Sequence, residues 1–206
     1  MDALMLLLAD SRFPAGGYAH SLGLEEAVNN GLRADDVPAF AAARQRLVAE
    51  GDARVAVATR RGEDGVEAEW DARCPSPVLR EVSHRLGSQL LRSAAVVWPE
   101  LTPRRTPRPV ALGEVARITD LDDEATALLS LYDDAATVTS AALKLLPLDP
   151  AVTTRWLAEL TPAMALAARA IADDHRPLAE QPAPAAVALE LAAPVHQQRE
   201  ERLFAS

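Results

Sequence analysis

Three features of this sequence predict an all-α fold, a single-domain multi-helix bundle of about 8–10 helices. Apolar residues make up 49% of the chain while aromatic residues make up only 4%, so the core must consist mainly of Ala, Leu and Val. Ala and Leu are the strongest helix formers. Three helix starts share the same chemistry, with an Asp or Ser just before a first-turn proline, at Asp36, Ser76 and Asp149.

The spacing of apolar residues places the helices along the chain. Helices are expected over about residues 2–9, 21–31, 36–50, 76–97, 123–146 and 150–174, with shorter helical segments near 52–61, 111–118 and 183–192. Ser21 is the expected N-cap of the second helix, and Glu25 is expected to face the free N–H groups of its first turn. The four prolines within residues 99–109 predict a loop, and residues 62–65 predict an exposed turn.

The helix over 123–146 has the clearest pattern. Its apolar residues recur at steps of three and four and predict one buried stripe from Ala125 to Leu146. The acidic pairs Asp122–Asp123 and Asp133–Asp134 lack the third aspartate of a magnesium-diphosphate motif. A solvated acidic face is therefore the expected role of these carboxylates.

Composition excludes several classes of function. The formal charge of −9 argues against a nucleic-acid binder, which needs a basic surface. The single cysteine, Cys74, excludes an internal disulfide and a multi-cysteine zinc site. No stretch approaches the roughly 20 apolar residues that span a bilayer, and the start of the chain does not resemble a signal peptide. A cytoplasmic protein with no membrane partner is expected.

Motifs for catalysis or metal binding are missing from the sequence. The four histidines show no paired metal-ligand spacing, and no nucleophile elbow, phosphate loop or dinucleotide fingerprint occurs. We therefore expect no catalytic residue, no metal ligand set and no stably bound cofactor. The chain is not expected to be an enzyme.

The opening segment, residues 8–25, contains a proline followed by two glycines between two apolar stretches. Gly16 and Gly17 can adopt positive φ or allow close approach of another backbone. One interpretation is a corner between two helices of the bundle. The alternative function is that of an α-helical enzyme or small-ligand-binding protein, with Gly16, Gly17 and His20 forming a pocket.

Three separated segments together resemble the UreF family of urease accessory proteins. Residues 8–25 are similar to the family's N-terminal signature, and residues 140–148 are similar to the segment at the end of its central helix. Arg202–Leu203–Phe204 with Ser206 is similar to its C-terminal motif. Asp149–Pro150 and Ala205 depart from the pattern, since the family usually has Gly-Gln and Arg at these places.

The resemblance implies a helical, non-enzymatic chaperone that acts as a homodimer. It implies binding of UreD (UreH in some organisms), recruitment of the UreG GTPase and delivery of nickel to apo-urease, with nickel handled by the complex. It also implies a UreF-like domain over 1–195 and a partner-binding tail over 196–206 that becomes ordered on contact. The residues expected to face partners are Pro14, Gly16, Gly17, His20, Ser21, Gly23, Glu25, Lys144, Pro147, Arg202, Leu203 and Phe204.

Overall fold

The computed structural model describes residues 3–10, 13 and 19–204, and in these ranges all regular structure is helical. This confirms the predicted all-α class. The α-helices are α1 (Ala3–Ala9), α2 (Leu24–Asn29), α3 (Val37–Arg44), α4 (Glu50–Arg60), α5 (Val66–Arg73), α6 (Pro77–Val97), α7 (Arg108–Ile118), α8 (Asp123–Leu145), α9 (Pro150–Ala172) and α10 (Val187–Gln198). Pro14, Gly16 and Gly17 lie outside the described residues.

Predicted caps explain where two of the long helices begin. The Ser76 hydroxyl accepts a hydrogen bond from the Leu79 N–H at the start of α6, and Asp149 accepts one from the Ala151 N–H at the start of α9. These side chains satisfy N–H groups that have no partner within the helix. The predictions for α6 and α9 are therefore confirmed at their N-terminal ends.

Residues 37–60 form one uninterrupted helical segment, whereas the sequence predicted two. A π-helical turn, Gln45–Ala49, joins α3 to α4, and Gly51 lies within α4 rather than in a break. The expected break was wrong because tertiary packing holds this segment helical. Ala49, Ala53 and Val57 are all buried in the main core.

Helix α5 was not predicted from the sequence. Its charged and apolar residues alternate, which is not a helical pattern, but its Trp70 is buried and donates a hydrogen bond from Nε1 to Asp52 Oδ1 of α4 at 2.9 Å. This long-range contact fixes a segment whose own sequence pattern is weak. Tertiary packing outweighs local propensity here.

Helix α8 lies at the centre of the fold and packs against α9, α4 and α7, and also against α2 and α3. The predicted single apolar stripe was wrong, because α8 is buried on more than one side. Ala127, Leu131 and Val138 are fully buried although they lie outside the predicted stripe, and Leu143, which lies within it, is exposed.

The acidic residues of α8 are paired with arginines rather than simply solvated. Asp134 accepts hydrogen bonds from Arg44 at 2.9–3.1 Å, and Asp133 accepts one from Arg108 at 2.6 Å. At the N-terminal end of α8, Asp123 bridges two neighbouring arginines of α4 and the turn that follows it. The acidic pairs of α8 therefore connect it to other helices.

Helices α4 and α7 approach closely at Gly113. A Cβ atom at this position would lie 2.4 Å from the Ala56 carbonyl oxygen and 2.5 Å from Thr59 Cβ. Only glycine allows the two helices to approach this closely. No helix in the described ranges is both long and apolar enough to cross a membrane.

Candidate partner-binding site

A sharp bend leads into α2 and differs from the predicted cap. Leu22 and Gly23 both have positive φ, 54° and 90°, and α2 begins at Leu24 with Gly23 as its N-cap. The prediction that Ser21 is the N-cap was therefore wrong. The Ser21 hydroxyl still accepts a hydrogen bond from the Glu25 N–H at 3.3 Å, so its side chain supports the bend from two residues before Gly23.

The Glu25 carboxylate binds the C-terminal segment instead of the first turn of its own helix. One oxygen accepts the Leu203 N–H at 2.6 Å, and the other accepts the Phe204 N–H at 3.0 Å. Glu25 is buried, and bonds from N–H groups to an ionised carboxylate are stronger than neutral ones. The N-terminal signature and the C-terminal motif are thus joined by a direct contact.

Glu26, the residue after Glu25, also binds the C-terminal segment, at Arg199. Its carboxylate accepts two hydrogen bonds from Arg199 at 2.5 and 2.7 Å and one from Asn30 at 3.1 Å. The hydrogen bonds from Arg199 lower the pKa of Glu26, although burial of the carboxyl opposes them. Glu26 is therefore held in its ionised form.

Phe204 connects the tail to the end of α8, which contains the remaining one of the three segments that resemble a family. Its side chain is only 5% exposed and belongs to the same core cluster as Leu24 and Leu131. Lys144 Nζ lies 5.0 Å from the centre of the Phe204 ring, which places the cation over the π face. All three sequence segments that suggested a family therefore meet at one place.

Burial divides the predicted partner-binding residues into two groups. His20, Ser21, Glu25 and Phe204 are buried within this chain, and Gly23 is half-buried. Lys144, Arg202 and Leu203 are exposed beside Phe204, and Pro147 is exposed just after the end of α8. In this conformation the second group is the one available to another protein.

The proposed boundary between a domain over 1–195 and a tail over 196–206 falls inside α10, which runs from Val187 to Gln198. Within the described part of that tail, Phe204 packs into the main core. This packing arises because Glu25, Glu26 and Lys144 provide contacts for the tail within the same chain. Ordering of the tail by a partner stays a prediction.

A cleft of about 200 Å³ lies between α10 and the rest of the fold. Its walls are mostly apolar, with Leu22, Val82 and Leu189 among them, and His20 and Asp52 also line it. Burial, with the nearby charges of Arg85 and Arg108, lowers the pKa of His20 to about 4. His20 is therefore neutral at pH 7.

Asp52 and Cys74 are half-buried groups in the same cleft. Burial raises the pKa of Asp52 to about 6 despite the hydrogen bond from Trp70. Burial, followed by the charge of Asp52, raises the pKa of the Cys74 thiol to about 12, so this cysteine is a poor nucleophile. No group of three His, Cys, Asp or Glu among the residues described here is arranged to hold a metal ion.

Three residues at this site were not singled out by sequence reasoning: Glu26, His196 and Arg199. No motif spacing marks them, since Glu26 contacts Arg199 from 173 residues away in the chain. One signal could have found this cluster: an acidic residue, Glu26, occupies a position of α2 that packs inward. Its burial indicates that a cationic partner must lie nearby.

Comparison with known proteins supports the family resemblance of these three segments. The sequence profile of the UreF family matches residues 24–161. The chain is 38% identical to the urease accessory protein UreF of Mycobacterium marinum, over 99% of this chain and 98% of that protein. It is 36% identical to UreF of Mycolicibacterium vanbaalenii over the same shares of the two chains, and 37% identical to UreF of Mycobacterium tuberculosis, again over 99% and 98%. The convergence of the three segments and these similarities over nearly the full length lead to one conclusion: the chain belongs to the UreF family of urease accessory proteins.

Proposed function

We propose that this chain is a scaffold in urease maturation. It binds a UreD- or UreH-type protein, recruits a UreG-type GTPase and brings both to apo-urease, and it catalyses no reaction itself. The observation that carries this proposal is the membership of nearly the whole chain in the UreF family. The shared site of the N-terminal signature, Lys144 and the C-terminal motif supports it.

The exposed residues beside Phe204 and just after the end of α8 suit contact with another protein. Lys144 and Arg202 supply positive charge, while Pro147 and Leu203 supply apolar area. Arginine and apolar side chains are common in the centres of protein interfaces. We place the UreD- or UreH-type partner on this surface, and we place the nickel ion with the assembled complex in the cytoplasm.

A homodimer is part of the same proposal, since the family resemblance implies it. A single chain has a mass of 22.0 kDa. Light scattering on the purified protein is expected to give twice this mass. A mass of one chain at all concentrations tested would contradict the dimer.

Co-purification tests the proposed partner surface. Leu203→Asp and Lys144→Glu change exposed residues, so each variant should fold normally and bind a UreD-type partner at least roughly tenfold more weakly, the effect of about 1.4 kcal/mol. The matched control is Leu166→Asp, because Leu166 is an exposed leucine on α9. If the control weakens binding as much as the two variants, the surface has been placed wrongly.

The cleft favours a second candidate function, the binding of a small ligand. It combines apolar walls with a neutral histidine, and such pockets are the usual sites for small molecules. A fragment library screened by ligand-observed NMR would find binders that His20→Ala abolishes while partner affinity is unchanged. If no fragment binds the wild-type chain, this candidate is rejected.

A further inference from the structure

Residues 187–204, which we call the strap, comprise α10 and the extended segment that follows it. The strap packs weakly along most of its length. His196 is the one buried residue of α10, while Val187, Leu191 and Val195 are 61%, 70% and 51% exposed. The cleft of about 200 Å³ lies beneath it.

The strap is held mainly at its C-terminal end. There, Arg199 binds Glu26, the Leu203 and Phe204 N–H groups bind Glu25, and the Phe204 ring lies in the core. The attachment therefore depends on two adjacent buried carboxylates. Its strength must respond to any change of charge near them.

His196 lies between these two carboxylates. It is 4% exposed, with Nε2 3.5 Å from a Glu25 oxygen and Nδ1 3.8 Å from a Glu26 oxygen. Neither ring nitrogen has a hydrogen-bond partner among the residues that the structure describes. A neutral imidazole carries one N–H group, whereas the imidazolium carries two, and here each would point towards a carboxylate.

The charges next to His196 come from two carboxylates and one guanidinium. Glu25 and Glu26 contribute two negative charges, and Arg199 contributes one positive charge within hydrogen-bond distance. A proton on His196 would bring the cluster to neutrality without removing either carboxylate from its existing bonds. The pKa of Glu26 is lowered by Arg199, so this carboxylate remains ionised at mildly acid pH.

We propose that the strap closes over the cleft in a proton-dependent manner, with protonated His196 strengthening closure and neutral His196 weakening it. Closure is strongest on the acid side of the range in which histidines change charge, about pH 5 to 8, and weakens as the pH rises through it. Opening would expose the apolar walls of the cleft. This device is a property of the isolated chain and does not depend on the proposed scaffold function.

Most other charged groups facing the cleft are paired. Arg44 pairs with Asp134, and Arg108 pairs with Asp133. Arg73 of α5 pairs with Glu69 and also donates to carbonyl oxygens before the strap.

Three more titratable groups line the cleft: His20 and Asp52 lie outside the strap, and Glu190 lies on it. His20 is neutral throughout the range because its pKa is lowered to about 4. Glu190 lies on α10 itself, at the edge of the cleft. Asp52 does titrate within the range, with a pKa raised to about 6, so its contribution must be separated by experiment.

Amide hydrogen exchange at Leu203 and Phe204 reports closure directly, because both N–H groups bond to Glu25. Protection factors of the ¹⁵N-labelled full chain, corrected for intrinsic exchange, are measured near pH 6 and near pH 8. We expect roughly tenfold greater protection at the lower pH, the effect of one charge-assisted contact. The His196 ring resonances should titrate with the same midpoint as the protection.

Variants identify the group responsible. His196→Gln should remove the pH dependence, whereas His175→Gln, at an exposed histidine, and Asp52→Asn should retain it. Equal protection at both pH values in the wild-type chain overturns the proposal, as does a wild-type pH response in His196→Gln. If His196→Gln fails to fold, the wild-type chain still tests the proposal. A midpoint of the His196 ring resonances that differs from the midpoint of amide protection overturns the proposal.

Discussion

Replacing Phe204 by Ala tests whether the C-terminal segment is part of the core. Phe204 is 5% exposed and packs with Leu24 and Leu131, and its ring lies beneath Lys144. The adjacent Leu203 is 61% exposed, which makes Leu203→Ala a matched control at a neighbouring position. Both variants truncate an apolar side chain to a methyl group in the same segment.

The expected loss follows from the contacts of Phe204. Truncating a buried phenylalanine costs about 3–5 kcal/mol, and the cation–π contact adds about 0.5–1 kcal/mol. The strap can move away from its site because α10 packs weakly, so the loss cannot exceed the free energy that docks the strap. We therefore expect Phe204→Ala to lower the free energy of unfolding by about 2–4 kcal/mol.

Chemical denaturation and thermal unfolding followed by circular dichroism measure this loss. For a chain of this size the melting temperature should fall by roughly 5–15 °C in Phe204→Ala. Leu203→Ala should change the free energy of unfolding by less than about 0.5 kcal/mol. Similar small losses in both variants would refute the assignment of Phe204 to the core.

Two further predictions concern Asp52 and a helix crossing. Burial raises the pKa of Asp52 from 3.8 to about 6, so ionisation of Asp52 opposes folding. The stability that the protonated carboxyl contributes is fully present below pH 3.8 and is lost as the pH rises through about 6. Asp52→Asn should therefore be more stable than wild type near pH 8, by at most about 3 kcal/mol, and equally stable near pH 4. Chemical denaturation at the two pH values measures this difference. If the variant and wild type are equally stable at both pH values, the raised pKa is contradicted. Gly113→Ala should cost about 2–3 kcal/mol in thermal unfolding, since its Cβ would overlap the Ala56 carbonyl. Gly51→Ala, at a helical position with open space around it, should instead stabilise by about 0.5–1 kcal/mol, and equal effects of the two would contradict the close crossing.

Local sequence rules predicted the long helices well. Asp149 and Ser76 cap helices where the pattern of capping residue and proline indicated, because that chemistry acts within four residues. The same rules failed at Ser21, where the positive φ of Leu22 and Gly23 moves the helix start to Leu24. A preference for a capping residue is weaker than a backbone bend required by surrounding contacts.

Long-range contacts explain what the sequence could not show. Helix α5 depends on the bond between Trp70 and Asp52, and the tail depends on Glu25, 179 residues away from Phe204 in the chain. Neither contact leaves a periodic signal in its own segment. The family resemblance singled out Glu25, Lys144 and Phe204 together, but only the structure shows that they are in contact.

The nickel content of urease measures the central claim most directly. Urease is expressed with its accessory proteins in cells that contain or lack this chain, and the purified enzyme is assayed for bound nickel and for urea hydrolysis. The scaffold account predicts that urease made without the chain contains little nickel and little activity, and that wild-type chain restores both. Urease that is fully loaded with nickel and fully active in the absence of the chain would contradict the account.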